Sequence, residues 1–120
     1  MSGYQTYVQP DGVPLVREFV QQHLQDIGQA AAVICTWTER DRYITTICGP
    51  LGSIIVKGND CFDQYPAAKV SWGYGHTGGS GQHALLWLLE GLRWPATIED
   101  IARMPRAGGF WTPAGFMPFA

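Results

Sequence analysis

The N-terminal part of the chain carries the apolar spacing of a surface helix. Between residues 14 and 27, "PLVREFVQQHLQDI" places its apolar side chains and His23 at the three- and four-residue steps of one helical stripe. Pro14 suits the first turn of a helix and Gly28 suits its end. The pattern therefore predicts an N-terminal amphipathic helix. His23 is interpreted as a packed boundary residue, because a histidine on such a stripe is more often structural than a ligand.

The spacing becomes strand-like in the middle of the chain. Residues 30–38 and 42–48 are rich in Val, Ile, Thr and Trp, and the polar turn between them is typical of a β-hairpin. "GPLG" at 49–52 predicts a second turn, and "SIIVK" at 53–57 predicts a third strand. "KVSW" at 69–72 has the composition of a short fourth strand.

Two further helices are predicted after these strands. "ALLWLLEGL" at 84–92 is apolar almost all round, which indicates a buried helix, and Ser80 is its natural N-cap. Thr97, with Asp100 three residues later, has the pattern of a capping box at the start of a short helix that Pro105 ends.

The order of these elements predicts the fold class. No helix lies between the three clear strands, so we expect an α+β fold. It would consist of a small antiparallel sheet of three to four strands, packed against the N-terminal amphipathic helix and a buried C-terminal helix. The 120 residues contain no internal repeat and no long linker, which predicts a single domain, 1–120, with an aromatic, Gly- and Pro-rich tail at 107–120.

Composition and charge narrow the function. The charged fraction is 15%, against ~25% in a typical domain, and the formal net charge is −2. The basic residues are spread along the chain, which disfavours nucleic-acid binding and specific DNA readout in particular. The chain has no signal-peptide pattern, and its longest apolar run, 84–89, is far shorter than the ~20 residues of a membrane span. We therefore expect a cytoplasmic protein without membrane contact, in the host cell if it is phage-encoded.

The three cysteines, Cys35, Cys48 and Cys61, are expected to be reduced and structural. Their number is odd, and no two of them have the spacing of a zinc or redox motif. A turn near residues 39–41 places Cys35 opposite about position 45, so Cys35 and Cys48 are poorly set for a disulfide.

Neither a cofactor nor a metal is expected. "GYGHTG" at 73–78 matches G-x-G-x-x-G, but no second parallel strand with an acidic residue at its end follows the helix, as a dinucleotide site requires. Zinc ligands normally come in pairs two to four residues apart, and the candidate ligands lack that spacing. These candidates are His76, His83, Cys61, Asp60 and Asp63.

The stretch "SWGYGHTGGSGQHALLWLLEGL" at 71–92 is the main candidate for ligand binding. Glycines at the head of a helix let an anion approach backbone amides. The favoured interpretation is instead a structural joint, in which glycines take positive φ between a strand and a buried helix and Ser80 caps that helix. The candidate ligand-binding residues are Tyr74, His76, Thr77, Gly78, Gly79, Ser80, Gly81 and His83.

The aromatic tail has two interpretations. It completes the core, which is favoured, or it presents its aromatic side chains to a partner, because exposed aromatics often anchor interfaces. The candidate partner-binding residues are Phe110, Trp111, Phe116 and Phe119.

The middle of the chain, residues 42–92, contains "RYITTICGPLGSIIVKGNDC" and "VSWGYGHTGGSGQHALLWLL". In these two segments it resembles a family of small uncharacterised proteins of phages and other mobile elements. That family carries a Tyr-containing strand, a Gly turn, an "IxVxG"-like strand and "WGYGG-Ser/Thr-GP" before an apolar helix. This chain departs from the pattern in having "GSGQ" where the family has a proline after the last glycine. The resemblance implies an origin in a mobile element and no particular activity. The matching residues are Tyr43, Gly52, Ile54, Val56, Gly58, Trp72, Gly73, Tyr74, Gly75, Thr77 and Gly78.

Three functions are compatible with these patterns. The favoured one is a small non-enzymatic inhibitor of phage or mobile-element type, because the chain shows no catalytic set, little charge and an aromatic tail. It would occupy a host protein or protein complex, for example a defence complex in the manner of an anti-CRISPR protein, and it is compatible with a homo-oligomer. The second is a small-ligand binder that holds a nucleotide or other anion at the Gly73–Gly81 loop. The third is a hydrolase or transferase that uses His76, Ser80 and His83.

Overall fold

The central feature of the computed structural model, which describes residues 4–8, 20–40, 42–57, 74, 75 and 80–119, is a six-stranded sheet. The strand order is β1-β4-β3-β2-β5-β6. The strands are β1 (Tyr4–Val8), β2 (Ala32–Thr38), β3 (Arg42–Gly49), β4 (Gly52–Lys57), β5 (Gly108–Thr112) and β6 (Gly115–Pro118). Two helices, α1 (Ser80–Gly91) and α2 (Ile98–Ala102), precede β5, and residues 20–23 are also helical.

Strands β2, β3 and β4 form an antiparallel meander at the segments that the alternating pattern predicts, with β3 and β4 each one residue longer than predicted. The β-branched residues of these strands alternate between the two faces, and those of one face are buried. The predicted register of the first hairpin is confirmed, since Cys35 lies opposite Thr45 and Cys48 lies opposite Ala32. The two cysteines therefore do not face each other, and both thiols are free.

The expected sheet of three to four antiparallel strands is wrong. The sheet has six strands, and one of its pairs is parallel: β1 lies beside β4, with Tyr4 opposite Gly52 and Val8 opposite Val56. The other additional strands come from the tail, where β5 and β6 form an antiparallel hairpin that pairs with β2. Both additions join segments far apart in the chain, which local periodicity does not encode. The expected strand at 69–72 lies outside the described residues.

The segment expected to form the N-terminal helix is described only from residue 20 onward. Residues 20–23 are helical and residues 24–28 form turns, so the helix ends before the predicted position. Val20, Leu24 and Ile27 are buried as the helical stripe predicts. His23 is partly exposed and its Nδ1 lies 2.9 Å from a carboxylate oxygen of Asp26, which agrees with a boundary position.

The core lies between one face of the sheet, called the inner face, and the helices. Leu85, Leu88 and Leu89 of α1 are fully buried in one cluster with the inner-face residues of the meander. Complete burial of a side chain of this size contributes about 1.5–3 kcal/mol. The helix is not buried all round as predicted, because His83, Trp87 and Glu90 are exposed. Main inner-face residues are Val33, Cys35, Tyr43, Thr45, Ile47, Ile54, Val56 and Trp111.

The capping box predicted for the last helix is confirmed. The Thr97 hydroxyl accepts a hydrogen bond from the Asp100 backbone at 3.2 Å, and the Asp100 carboxylate accepts one from the Thr97 backbone at 3.1 Å. These bonds fix the start of α2, which places Ile101 in the core. No helix within the described ranges is both long and apolar enough to span a membrane.

Candidate functional site

The glycine-rich stretch is described at its two ends. Tyr74 and Gly75 stand at one end and the α1 backbone begins at Ser80. The described residues exclude His76, Thr77, Gly78 and Gly79. The side chain of Ser80 and the exposure of Gly81 are not described either. The predictions made for these residues therefore stay predictions.

Tyr74, a predicted ligand-binding residue, lies in the core. It is 1% exposed, its ring packs edge-to-face against Tyr43 with centroids 4.9 Å apart, and its hydroxyl donates to the Arg106 carbonyl at 3.1 Å. Burial, followed by the influence of Cys35 and Tyr43, raises the pKa of the Tyr74 hydroxyl above its ordinary value. Tyr74 is thus a neutral structural residue, and its replacement is not neutral for stability.

The positive φ predicted for glycines of the structural joint is found at Gly75, whereas the strand expected before it lies outside the described residues. The φ of Gly75 is +67°, and a Cβ there would lie 2.9 Å from the Met104 carbonyl oxygen. The Gln82 side-chain amide donates to the Gly75 carbonyl, so the joint is tied to the first turn of α1. Gln82 is buried, whereas the neighbouring candidate His83 is exposed and its ring lies 6.2 Å from that of Trp87.

Three side chains that the sequence analysis did not single out meet beside this joint. The Arg106 guanidinium carbon lies 3.8 Å from the centroid of the Trp37 ring, and that of Arg42 lies 5.7 Å from the same ring. Both distances fall within the ~6 Å at which an aromatic face attracts a cation. We call Trp37, Arg42 and Arg106 the arginine–tryptophan cluster. The hydrogen bond from Tyr74 to the Arg106 carbonyl connects this cluster to the described start of the glycine-rich stretch.

The aromatic tail divides its side chains between the two faces of the sheet. Trp111, predicted as a partner contact, is 1% exposed, and its ring centroid lies 5.1 Å from that of Phe116, which packs partly buried against the core. This corrects the partner role of Trp111, because a buried indole cannot reach a partner. Phe110 and Phe119 form a second ring pair, at 6.2 Å, and Phe119 is exposed.

The face opposite the core, called the outer face, carries a row of aligned residues with no charged member. Ile34 lies opposite Thr46 and Phe110, Thr46 lies opposite Ile55, and Phe110 lies opposite Met117. These five residues form the outer row, which crosses β4, β3, β2, β5 and β6. Met117 is 56% exposed and the other four are partly exposed. The tail composition pointed to this surface, but Met117 was not among the predicted residues.

A cavity of about 410 Å³ lies between α2 and the β5–β6 hairpin. The indole Nε1 of Trp111 is buried, and within the described ranges it has no hydrogen-bond partner. The Nε1 atom of Trp111 is inaccessible, so the indole N–H does not face the cavity. Trp111 borders the cavity with other atoms of its side chain. The Asp100 carboxylate already accepts from the Thr97 backbone. The lining residues are Pro95, Asp100, Arg103, Trp111, Ala114, Gly115 and Phe116.

The described cysteines are not activated nucleophiles. Burial raises the pKa of the Cys35 thiol to about 12, and it also raises the pKa of the half-buried Cys48 thiol. Cys35 is tied to the inner face through a 4.0 Å contact with the Thr45 hydroxyl. Cys61 lies outside the described residues, among which no group of three metal-ligating side chains occurs.

Comparison with protein-family models, with curated proteins and with solved structures finds no significant match for this chain. Function is therefore inferred from the geometry and chemistry of the residues themselves.

Proposed function

We propose that this protein is a non-enzymatic binding protein that acts by protein–protein contact through its outer face. The observation that carries this proposal is the outer row, an uncharged strip that continues across five strands and ends at the exposed Met117. Four strand spacings of ~4.8 Å give this row a width of about 19 Å. A standard interface buries about 800 Å² on each partner, so the row would form the centre of such an interface and not the whole of it.

The composition of the row supports a protein partner. The cores of protein interfaces are depleted in charge and enriched in Met and aromatic residues. Phe110, Met117 and Phe119 supply these residue types, and Phe119 is 42% exposed. Aromatic side chains of this kind are frequent anchors because they desolvate a large area in one pocket.

The hairpin that carries these side chains is held from its other face. Trp111 is buried in the core and Phe116 packs against it, which fixes the hairpin relative to β2. A surface that is already ordered loses little conformational entropy when it binds. Trp111 and Phe116 therefore support binding without contacting a partner. The contacts would be made by Phe110, Met117 and Phe119.

The partner in this proposal is a host protein or complex. The resemblance to small proteins of phages and mobile elements supports that choice, since such a protein acts inside a host cell and can inhibit by occupying one of its proteins. A host defence complex is one such target. A second copy of this chain is the competing occupant of the same face.

The test compares two variants that add charge to exposed apolar positions. Met117→Lys with Phe119→Lys changes the proposed surface, and Leu51→Lys changes a 55% exposed leucine in the turn between β3 and β4. A host protein captured by the wild type would be identified, purified and titrated with all three proteins by calorimetry. We expect the double variant to lose about tenfold or more in affinity and Leu51→Lys to bind like the wild type.

Equal binding by the double variant would contradict the proposal. Native mass spectrometry of the protein alone tests whether a second copy of this chain binds the outer face. A dimer that the double variant abolishes and Leu51→Lys retains would assign the outer face to self-association.

A further inference from the structure

The Trp37–Arg106 pair of the arginine–tryptophan cluster places a positive charge on the inner-face side of the sheet, apart from the outer row. Trp37 continues the inner-face alternation of Val33 and Cys35 along β2. Arg106 lies in the turn before β5, and Arg42 begins β3. A role for this cluster is therefore separable from protein contact through the outer face.

The backbone of Arg106 is held in place. Its carbonyl accepts a hydrogen bond from the buried Tyr74 hydroxyl at 3.1 Å. The turn closes two residues later, where the Gly108 N–H donates to the Pro105 carbonyl at 2.8 Å. Gly108 lies so close to β2 that a Cβ would overlap the Cys35 carbonyl oxygen. The turn that carries Arg106 is thus fixed against the core.

The Arg106 side chain is held by a contact that leaves its donors available. The Arg106 guanidinium carbon lies over the Trp37 ring, 3.8 Å from its centroid, which is a close cation–π contact. A cation–π contact is not a conventional hydrogen bond, so it leaves the five N–H donors of the guanidinium without an oxygen acceptor. Within the described part of the chain, no carboxylate or carbonyl accepts a hydrogen bond from this guanidinium, and the residue is exposed. Arg106 is a permanently charged, oriented donor facing water.

A second guanidinium lies near the same ring. Arg42 is 5.7 Å from the Trp37 centroid, and Arg40 precedes it in the β2–β3 turn. The described acidic residue in this turn is Glu39, which is exposed, while Asp41 lies outside the described residues. A planar guanidinium matches the paired oxygens of a carboxylate or a phosphate, so Arg106 supplies the donor set for such a ligand and Arg42 adds positive charge nearby.

We propose that the arginine–tryptophan cluster is an oxyanion-binding site, with Arg106 as its main donor. The ligand group is a phosphate or a carboxylate. Trp37 orients Arg106, and Tyr74 ties the site to the glycine-rich joint. The alternative is a cation–π contact that only stabilises the turn.

The probe for this site is inorganic phosphate, added at constant ionic strength to the ¹⁵N-labelled protein. The signals followed by NMR are the arginine Nε–H groups and the Trp37 indole N–H. We expect saturable shifts at Arg106 and Trp37, and a shift at the exposed Arg93 that grows linearly without saturation. A second titration with acetate distinguishes phosphate from carboxylate ligands. Saturation by phosphate alone assigns the site to phosphate. Saturation by both assigns it to oxyanions in general.

Three variants separate binding from folding. Arg106→Gln removes the charge and should weaken phosphate binding about tenfold or more, whereas the matched Arg93→Gln should leave it unchanged. Arg106→Lys keeps a charge but loses the planar donor set, so it should bind more weakly than the wild type while its backbone amide spectrum stays native. Unsaturated shifts at Arg106, or equal binding by Arg106→Gln, would overturn the proposal.

Discussion

Replacing Trp111 with phenylalanine tests whether its buried N–H carries an energetic cost. Trp111 is 1% exposed, and its Nε1 has no hydrogen-bond partner within the described ranges. A buried donor left unpaired costs about 1–3 kcal/mol in the folded state. Phenylalanine removes that donor and keeps an aromatic ring beside Phe116, whose centroid lies 5.1 Å away.

The expected change in the free energy of unfolding is the difference between two opposing effects. The smaller ring gives up part of the buried area and leaves some empty volume, which costs about 1–2 kcal/mol for a conservative core truncation. Removal of the unpaired donor returns about 1–3 kcal/mol. Trp111→Phe should therefore lie between about 2 kcal/mol more stable and about 1 kcal/mol less stable than the wild type, whereas Trp111→Ala should cost about 3–5 kcal/mol.

The assay is equilibrium unfolding in urea, followed by far-UV circular dichroism so that loss of the tryptophan does not alter the signal. Trp94→Phe is the matched control, because Trp94 is also buried but its indole N–H is not an unpaired buried donor within the described residues. We expect this control to show the ordinary cost of about 1–2 kcal/mol. A cost of about 3 kcal/mol or more for Trp111→Phe would refute the reasoning, since it would mean that the N–H makes a favourable bond.

Three further predictions concern the core and its thiols. Gly108→Ala should destabilise the protein by about 3 kcal/mol or more in urea unfolding. The reason is that φ is +91° and the added Cβ would overlap the Cys35 carbonyl oxygen and lie 2.8 Å from the Tyr74 hydroxyl. A change below about 1 kcal/mol would contradict this tight packing. Stability should also fall above pH 9, because the folded state keeps the Cys35 proton up to a pKa of about 12 while the unfolded thiol, at 9.0, releases it. Each pH unit in that window should lower the free energy of unfolding by up to about 1.4 kcal/mol. The raised pKa of Tyr74 adds to this loss in the same direction. Cys35→Ala should therefore flatten the slope of unfolding free energy against pH. A thiol reagent should modify half-buried Cys48 before Cys35 in the folded protein and find three thiols in denaturant; faster reaction of Cys35 would contradict its burial.

The parts of the fold that follow from the sequence are those that adjacent residues determine. Alternation of β-branched residues locates β2, β3 and β4, and the turn between β2 and β3 sets Cys35 opposite Thr45. The capping box of Thr97 and Asp100 is likewise local. Each of these features is decided by a few neighbouring side chains and their own backbone.

The features that the sequence analysis missed depend on pairing between distant segments. β1 aligns with β4 in parallel, and β5 reaches β2 across two helices. One local signal for the tail hairpin was present, since "TPAG" at 112–115 has proline and glycine at favoured turn positions between the aromatic pair 110–111 and Phe116. The stacking of Arg106 on Trp37 has no such signal, because it requires the β2–β5 pairing to exist first.

The β2–β5 pairing also has a consequence for how the chain folds. The β2–β3 hairpin closes over a short turn, whereas β5 must find β2 across most of the chain, Val33 meeting Trp111. Closing a long loop reduces the entropy of the chain before any stabilising contact has formed. Pairing of this kind therefore forms late and slows folding. We expect the β5–β6 edge to join a preformed meander and to open first, which hydrogen exchange would register as faster amide exchange in residues 108–118 than in β2–β4. Equal exchange along both would indicate that the sheet opens only as a whole.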